Sequence, residues 1–439
     1  MKRRKRTVAG QTQDREAVLA SVVEENAQLR EKTAQSAARI GELENTTTAR
    51  QAKLLADDEE LRQKLSRDSR DESSGEVLPT LRAVEIEAKL RDEAASWSAP
   101  TEATQIPWAS VEDMPIINLA PYFASGSQED LEDAAACLRR AATSTGFHYI
   151  MGHGIPPDLV QSTFDFAKRF HEGLPDDYKL SLAMDTAPAH GGEVRVGCGY
   201  LREANTKLPA RPKANYNAAF VVKRESGPHN VTLAKMPWPD EGVHPTLVGF
   251  RETVERYCAA MEALALRMLP IYAVALGLTP AFFAPAFESP LYRLRLSRYG
   301  RTPPGEYGIN PHVDTSFFTI LRPSADGLVV QKNPNAREGW VRAPPLRPED
   351  DAFVVNFGEL LSQVTNDAWP ATRHYALSAV DGTADGVDRD SSPRFALPFF
   401  FNATPTHRMA VVPTCCSEDN PPRHPPASYL EGQGVQQGE

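Results

Sequence analysis

The feature that most restricts the fold is a change of period near Tyr292. From there to about residue 413 the apolar residues fall into short alternating runs broken by turn formers: YRLRLSRYG, SFFTILR, GLVVQK, GWVRAP, DAFVVNFG, RHYALSAV, RFALPFFFNA and HRMAVVP. Alternation with a period of two describes strands with one face buried, and a series of such short runs describes a sandwich or barrel. The expected fold class is therefore mainly β with flanking helices, the helices falling at about 156–174 and 246–276.

Upstream the period is different. From about residue 14 to about 95 Pro and Gly are almost absent, and Leu19, Val22, Leu29, Ile40, Leu43, Leu54 and Leu61 follow a 3-4 spacing, which predicts a helix with an apolar seam. Asn26, Thr33, Ser36, Thr47, Arg50 and Asp57 share that seam, so a coiled coil built on it would be weak or partner-dependent. The chain thus divides into a basic tail, helical or coiled-coil extension and linker over 1–110, an α/β part over 111–285, a β core over 286–416, and a Pro- and Gln-rich tail over 417–439 expected to be disordered. The N-terminal seam would support a homodimer.

Composition narrows the partners. A formal net charge of −10 argues against a general nucleic-acid surface and leaves small-molecule or protein partners as the expectation. Five cysteines, odd in number and without C-x-x-C spacing, point to a reducing compartment and a cytoplasmic location. The basic start MKRRKR has no apolar segment after it; it reads as a solvated tail or a nuclear-import tag. The most apolar window, from Tyr257, is interrupted by Glu262, Arg267 and Pro270, and is expected to be a pair of core helices, not a membrane span.

Within the β region lies YGINPHVDTSFFTIL, with His312 and Asp314 two apart. In a strand these positions share a face, and an ionised Asp facing a barrel interior is costly without a cation. His374, where strand character resumes in NDAWPATRHYAL, is the best third ligand. Two His and one carboxylate form the facial triad suited to Fe(II), with open positions for other ligands, whereas zinc prefers a further nitrogen or sulfur. The bland alternative is a pair of polar residues on the wet side of a sheet. His148 and His153 are expected to hold backbone, and His407 and His424 to lie in loops. Arg394, before an apolar strand, would pair with a dicarboxylate or form a rim salt bridge to Asp388 or Asp390.

These motifs, in this order, resemble those of the isopenicillin N synthase-like 2-oxoglutarate and Fe(II)-dependent oxygenases over about residues 113–413. MPIINLAPYF is similar to the family's opening strand, with Asn118 where Asp is usual, and TGFHYIMGHGIP to its Gly-Phe-Phe segment, with Gly152 for Asn. LRLSRYG is similar to the Asn-x-Tyr strand, with Ser297 and Tyr299. HVDTSFFTIL and DAFVVNFGELLSQVTNDAWPATRHYA are similar to the segments carrying the metal ligands. The resemblance implies a double-stranded β-helix (jelly roll) in which His312, Asp314 and His374 bind Fe(II). Arg394 would take the distal carboxylate of 2-oxoglutarate, with Tyr299 as a helper. The implied reaction couples O2 and 2-oxoglutarate, giving succinate and CO2, to oxidation of a small organic molecule.

Three departures stand out. Ala396 replaces the Ser of the usual Arg-x-Ser, which removes a hydrogen bond to a charged group worth about 1.5 to 3 kcal/mol and predicts weaker 2-oxoglutarate binding. Tyr375 follows the distal His where Arg is usual, and the loop SAVDGTADGVDRDSS is longer than usual. Two further readings follow: an Fe(II)/O2 oxidase of the same fold that does not use 2-oxoglutarate, and a non-catalytic coiled-coil interaction protein with a remnant barrel. Phe318, Phe399 and Phe401 are candidates for either pocket lining or core.

Overall fold

The computed structural model describes residues 99–428 except 102, 184–196, 204–213, 225–235, 304, 336–337, 348–349 and 378–392. The N-terminal seam and the long loop after His374 lie outside those residues. Twelve strands are described: β1 Ile116–Asn118, β2 Phe147–Met151, β3 Gly199–Leu201, β4 Asn217–Lys223, β5 Leu291–Tyr299, β6 Ile309–His312, β7 Phe318–Pro323, β8 Leu328–Asn333, β9 Glu338–Arg342, β10 Ala352–Phe357, β11 His374–Ala376 and β12 Arg394–Asn402. They form an eight-stranded sheet in the order β1-β2-β10-β7-β12-β5-β4-β3 and a four-stranded sheet in the order β6-β11-β8-β9.

Seven of the eight alternating runs are strands. The exception is HRMAVVP, where Met409 makes only an isolated bridge to Ala427. Alternation decides what each strand shows to each side. In β12, Phe395, Leu397, Phe399 and Phe401 join the main core, as do Leu294 and Leu296 of β5 and Phe318 and Ile320 of β7. That core also holds the helices α1 Ala120–Ser125, α2 Gln128–Ala142, α3 Pro157–Gly173, α4 Asp176–Ser181, α5 Phe250–Ala275 and α6 Glu359–Val364, in so far as they carry apolar faces. Phe318, Phe399 and Phe401 are thus core residues on the helix side.

The opposite parity faces the small sheet. Phe147, Tyr149 and Val354 meet Leu328, Val330 and Val341 there, and Tyr299 and Ala396 meet Ala376. The two sheets therefore enclose an inner face, reached by Arg394, Ala396, Pro398 and Phe400 of β12.

Three expectations need correction. The apolar window from Tyr257 is one helix, α5, that continues through Pro270. It is long and apolar enough to cross a membrane by length and composition, yet 14 of its residues are buried and packed into the main core, which stabilises the turn that lacks the Pro270 N–H. The linker before residue 110 is not loose: Ala99, Ala103 and Ile106 pack with Tyr307, Val329, Tyr375 and Leu377, and the Tyr307 and Tyr375 hydroxyls donate to the carbonyls of Ala99 and Pro100. The residue that departs from the family after the distal His thus pins this strap. Finally, residues 417–428, expected to be disordered, are tied down. The Arg423 N–H donates to Asn366 Oδ1 (2.8 Å), Asn366 Nδ2 donates to the Pro421 carbonyl (3.2 Å), and His424 pairs with Asp367 (2.8 Å). Pro content lowers the entropy lost on ordering such a segment, and the left-handed Asn366-Asp367 turn supplies its partners.

Candidate metal centre

His312 ends β6, and its antiparallel partner in β11 is His374, so the two imidazoles lie side by side with ring centroids 4.3 Å apart. Asp314 does not belong to the strand. It sits in the turn after β6, so the shared-face rule is not what aligns it with His312. The turn is held from outside: the Glu359 N–H donates to the Asp314 carbonyl (2.7 Å), and the Gly358 N–H to the Phe317 carbonyl (3.1 Å). A Cβ at position 358 would fall 1.8 Å from the Ser316 carbonyl oxygen, so only glycine lets the α6 terminus approach this closely.

His312 Nε2 is 3.5 Å and His374 Nε2 is 3.7 Å from Asp314 Oδ1, and the three donor atoms lie within 4.8 Å of one another, close enough for one cation to touch all three. Each other ring nitrogen faces a carbonyl: His312 Nδ1 that of Asn310 (2.8 Å) and His374 Nδ1 that of Thr372 (3.1 Å). A carbonyl can only accept, so both Nδ1 atoms carry the hydrogen and both Nε2 atoms present lone pairs to the same point. Asp314 Oδ2 accepts from Thr319 Oγ1 (2.7 Å) and Asn356 Nδ2 (2.9 Å), which leaves Oδ1 for a metal. Burial pushes this carboxyl's pKa up, but His374, His312 and Asn356 together outweigh it and hold the group well below the usual carboxylate range.

Sequence reasoning did not single out Thr319 and Asn356. A signal existed, since Asn356 is the one polar residue of the run AFVVNF and stands at an inward-facing position.

Across the inner face, Arg394 is buried, at 6% exposure. Its Nη2 donates to the Leu377 carbonyl (2.8 Å), its guanidinium lies 4.2 Å from the centre of the Tyr299 ring, and its Nε has no hydrogen-bond partner. Among the described residues no carboxylate forms an ion pair with it. A Cβ on Gly327, whose φ is +128°, would lie 2.8 Å from its Cζ, so the backbone there closes directly on the guanidinium. Burial lowers this arginine's pKa, opposed by Tyr299 and Asp326. Tyr299 is buried opposite it on β5, and burial raises its phenol, so it stays protonated.

The neighbouring row explains the loss at position 396. Ala396 pairs directly with Ser297, whose fully buried hydroxyl lies beside the Tyr299 hydroxyl and interacts with it. An antiparallel pair places the two side chains on one face, about 5 Å apart at Cβ. A buried hydroxyl and a buried guanidinium N–H on one face suit a carboxylate that would accept from each.

The other histidines have other roles. His153 Nδ1 accepts from the Ile155 N–H (3.0 Å), as expected of a residue holding backbone, and its Nε2 pairs with Asp351 (2.9 Å). His148 holds no backbone. It is wholly buried beside Phe357, without a hydrogen-bond partner, and burial lowers its pKa to about 3, which keeps it neutral.

Comparison with known proteins agrees with this arrangement. Residues 114–241 match the family model described as non-haem dioxygenase in morphine synthesis N-terminal, and residues 291–403 match that of the 2OG-Fe(II) oxygenase superfamily; together they take in more than half of the chain. A 2-oxoglutarate-Fe(II) type oxidoreductase of Emericella nidulans is 26% identical over 325 residues, covering 71% of this chain and 86% of that protein. The isopenicillin N synthase of Streptomyces jumonjinensis is 28% identical over 320 residues, covering 69% and 87%. Among solved structures, full-length Neurospora crassa T7H in complex with alpha-KG shares the fold with a TM-score of 0.60 at 23% identity, over 73% of this chain and 95% of that one. With both models matched in order, and a His-Asp-His cluster on the inner face of the barrel, the chain belongs to the 2OG-Fe(II) oxygenase superfamily.

Proposed function

We propose that this protein is an Fe(II)- and 2-oxoglutarate-dependent dioxygenase in which His312, Asp314 and His374 hold the iron and Arg394, with Ser297, holds the distal carboxylate of 2-oxoglutarate. The observation that carries this reading is the convergence of two imidazole lone pairs and one carboxylate oxygen on a single point, on the inner face that also carries a buried arginine with no carboxylate partner among the described residues. Bound iron would let O2 oxidise 2-oxoglutarate to succinate and CO2 and, with the remaining oxidising equivalent, oxidise the small-molecule substrate.

The chain's own residues do the positioning. The Asn310 and Thr372 carbonyls orient the imidazoles, Thr319 and Asn356 orient Asp314, and the Tyr299 ring packs against the guanidinium. Ser297 supplies from the neighbouring strand the hydroxyl that position 396 lacks, which favours use of 2-oxoglutarate over the reading without it. The test is succinate formation from 2-oxoglutarate by purified protein with Fe(II) under air, with a broad small-molecule panel. The reading requires release that depends on both iron and 2-oxoglutarate, and its absence across the panel would end it. We further propose that the N-terminal seam dimerises the chain; equal sedimentation with and without residues 1–98 would refute this.

A further inference from the structure

The two histidine ligands sit in strands that are not equally secured. His374 lies in β11, with β6 on one side and β8 on the other, whereas His312 lies in β6, at the end of the small sheet. Two ladders hold β11, and one holds β6. The sequence of β6 loosens its hold on His312 further. The carbonyl that accepts from His312 Nδ1 is that of Asn310, and the nitrogen of the same peptide belongs to Pro311, which has no N–H to anchor the peptide plane. His312 is also the more exposed of the two ligands, with 17% of its side chain accessible against 10% for His374.

A side chain from far back in the chain supplies the missing hold. Asn215, two residues before β4, is buried at 9% exposure and faces Asn310, buried at 1%. Asn215 Oδ1 accepts from the Asn310 backbone N–H (2.9 Å) and from Asn310 Nδ2 (2.7 Å), and Asn310 Nδ2 donates as well to the Ala214 carbonyl (3.1 Å). A backbone N–H can only donate, so the Asn215 atom that receives it is the oxygen. The side-chain atom of Asn310 that meets this oxygen and a carbonyl is therefore the nitrogen, and the bonding fixes both amides. One residue on, the Tyr216 N–H donates to the Tyr307 carbonyl (3.2 Å), which ties the same two segments together. Beside the metal ligand, a side-chain amide does what a second ladder does for β11.

Resting on the Fe(II) reading above, we infer that Asn215 is a positioning residue for the iron site: its Oδ1 fixes Asn310, and the Asn310 carbonyl holds His312 in the Nδ1–H form with Nε2 aimed at the metal. Partners that orient a metal ligand change metal affinity by about 10- to 100-fold when removed, and Asn215 acts one bond further out, at the lower end of that range.

The test sets Asn215→Asp, which keeps an acceptor oxygen of the same reach, against Asn215→Leu, which keeps the bulk and loses the acceptor. Fe(II) affinity of the full chain is read by anaerobic competition with a coloured chelator. The tautomer of His312 is read by nitrogen NMR of the metal-free protein labelled at histidine, at a pH where the imidazole is neutral, its signal identified by its loss in His312→Gln. Asn215→Leu should raise the Fe(II) dissociation constant about tenfold and turn the Nδ1–H form into a mixture of tautomers, while Asn215→Asp should stay within about threefold and keep the Nδ1–H form. With iron saturating, 2-oxoglutarate should titrate alike in all three proteins. Undiminished iron affinity in Asn215→Leu, equal loss in both variants, or loss of iron with the tautomer unchanged would overturn the inference. If Asn215→Leu does not fold, Asn215→Gln, whose acceptor lies one methylene further out, takes its place with the same expectations. If the unsubstituted protein holds no iron, the Fe(II) reading fails separately, and the NMR comparison still decides whether Asn215 sets His312.

Discussion

Asp314 and Arg394 are both buried charges on the inner face of one barrel, yet their surroundings differ in kind. Around Asp314 the polar atoms that would not touch a cation already have partners: Oδ2 has two donors, and both histidine Nδ1 atoms have carbonyls. Around Arg394 the buried Nε has no partner among the described residues. The metal end is preorganised by the protein, whereas the carboxylate end is completed only by a ligand. An unpartnered buried polar group costs about 1 to 3 kcal/mol, so part of the co-substrate's affinity comes from relieving a cost built into the fold.

The contrast can be broken most severely at the iron. Asp314→Ala removes the anionic ligand and leaves two imidazoles, so the purified variant should hold no stoichiometric iron by elemental analysis, and with it no activity. Retention of iron would mean that the ligand set is wrong. Arg394→Gln should leave the iron content intact but weaken 2-oxoglutarate by about 30-fold or more, the cost of removing one side of a buried charge pair, as read by anaerobic titration of the loaded protein. A variant that loses iron and 2-oxoglutarate together would show that the two ends are not separable.

Smaller changes sharpen the comparison. Asn356→Ala frees Asp314 Oδ2 of one donor and should weaken Fe(II) by about 10- to 100-fold in a chelator competition, with little effect on 2-oxoglutarate once iron is saturating. Ser297→Ala should raise the 2-oxoglutarate dissociation constant by about 3- to 10-fold, while the melting temperature without co-substrate changes little. A fall in melting temperature without any change in 2-oxoglutarate affinity would assign Ser297 to structure alone.

Much of this was legible before any coordinates. Period-two runs located seven strands, and residue chemistry alone nominated His312, Asp314, His374 and Arg394, because alternation and ligand type are local properties. Asp314 was nominated on the wrong ground: it lies past the strand end and is aligned by α6 and by donors on β7 and β10. Its partners Thr319 and Asn356, and the pairing of Ala396 with Ser297, depend on register between strands far apart in the chain.

The two exceptions at the ends of the domain have the same origin. Residues 99–110 and 417–428 look like linker and tail by composition, and become ordered because Tyr307, Tyr375 and Asn366 happen to face them. What the sequence alone determined is the inventory: an alternating β region, a metal-binding residue set, and one arginine suited to a carboxylate. What only the tertiary structure decided is which of these meet. Backbone hydrogen bonding aligns strands by position and not by side-chain identity, so a hydroxyl missing from one strand can be supplied by the next, and no local period records it.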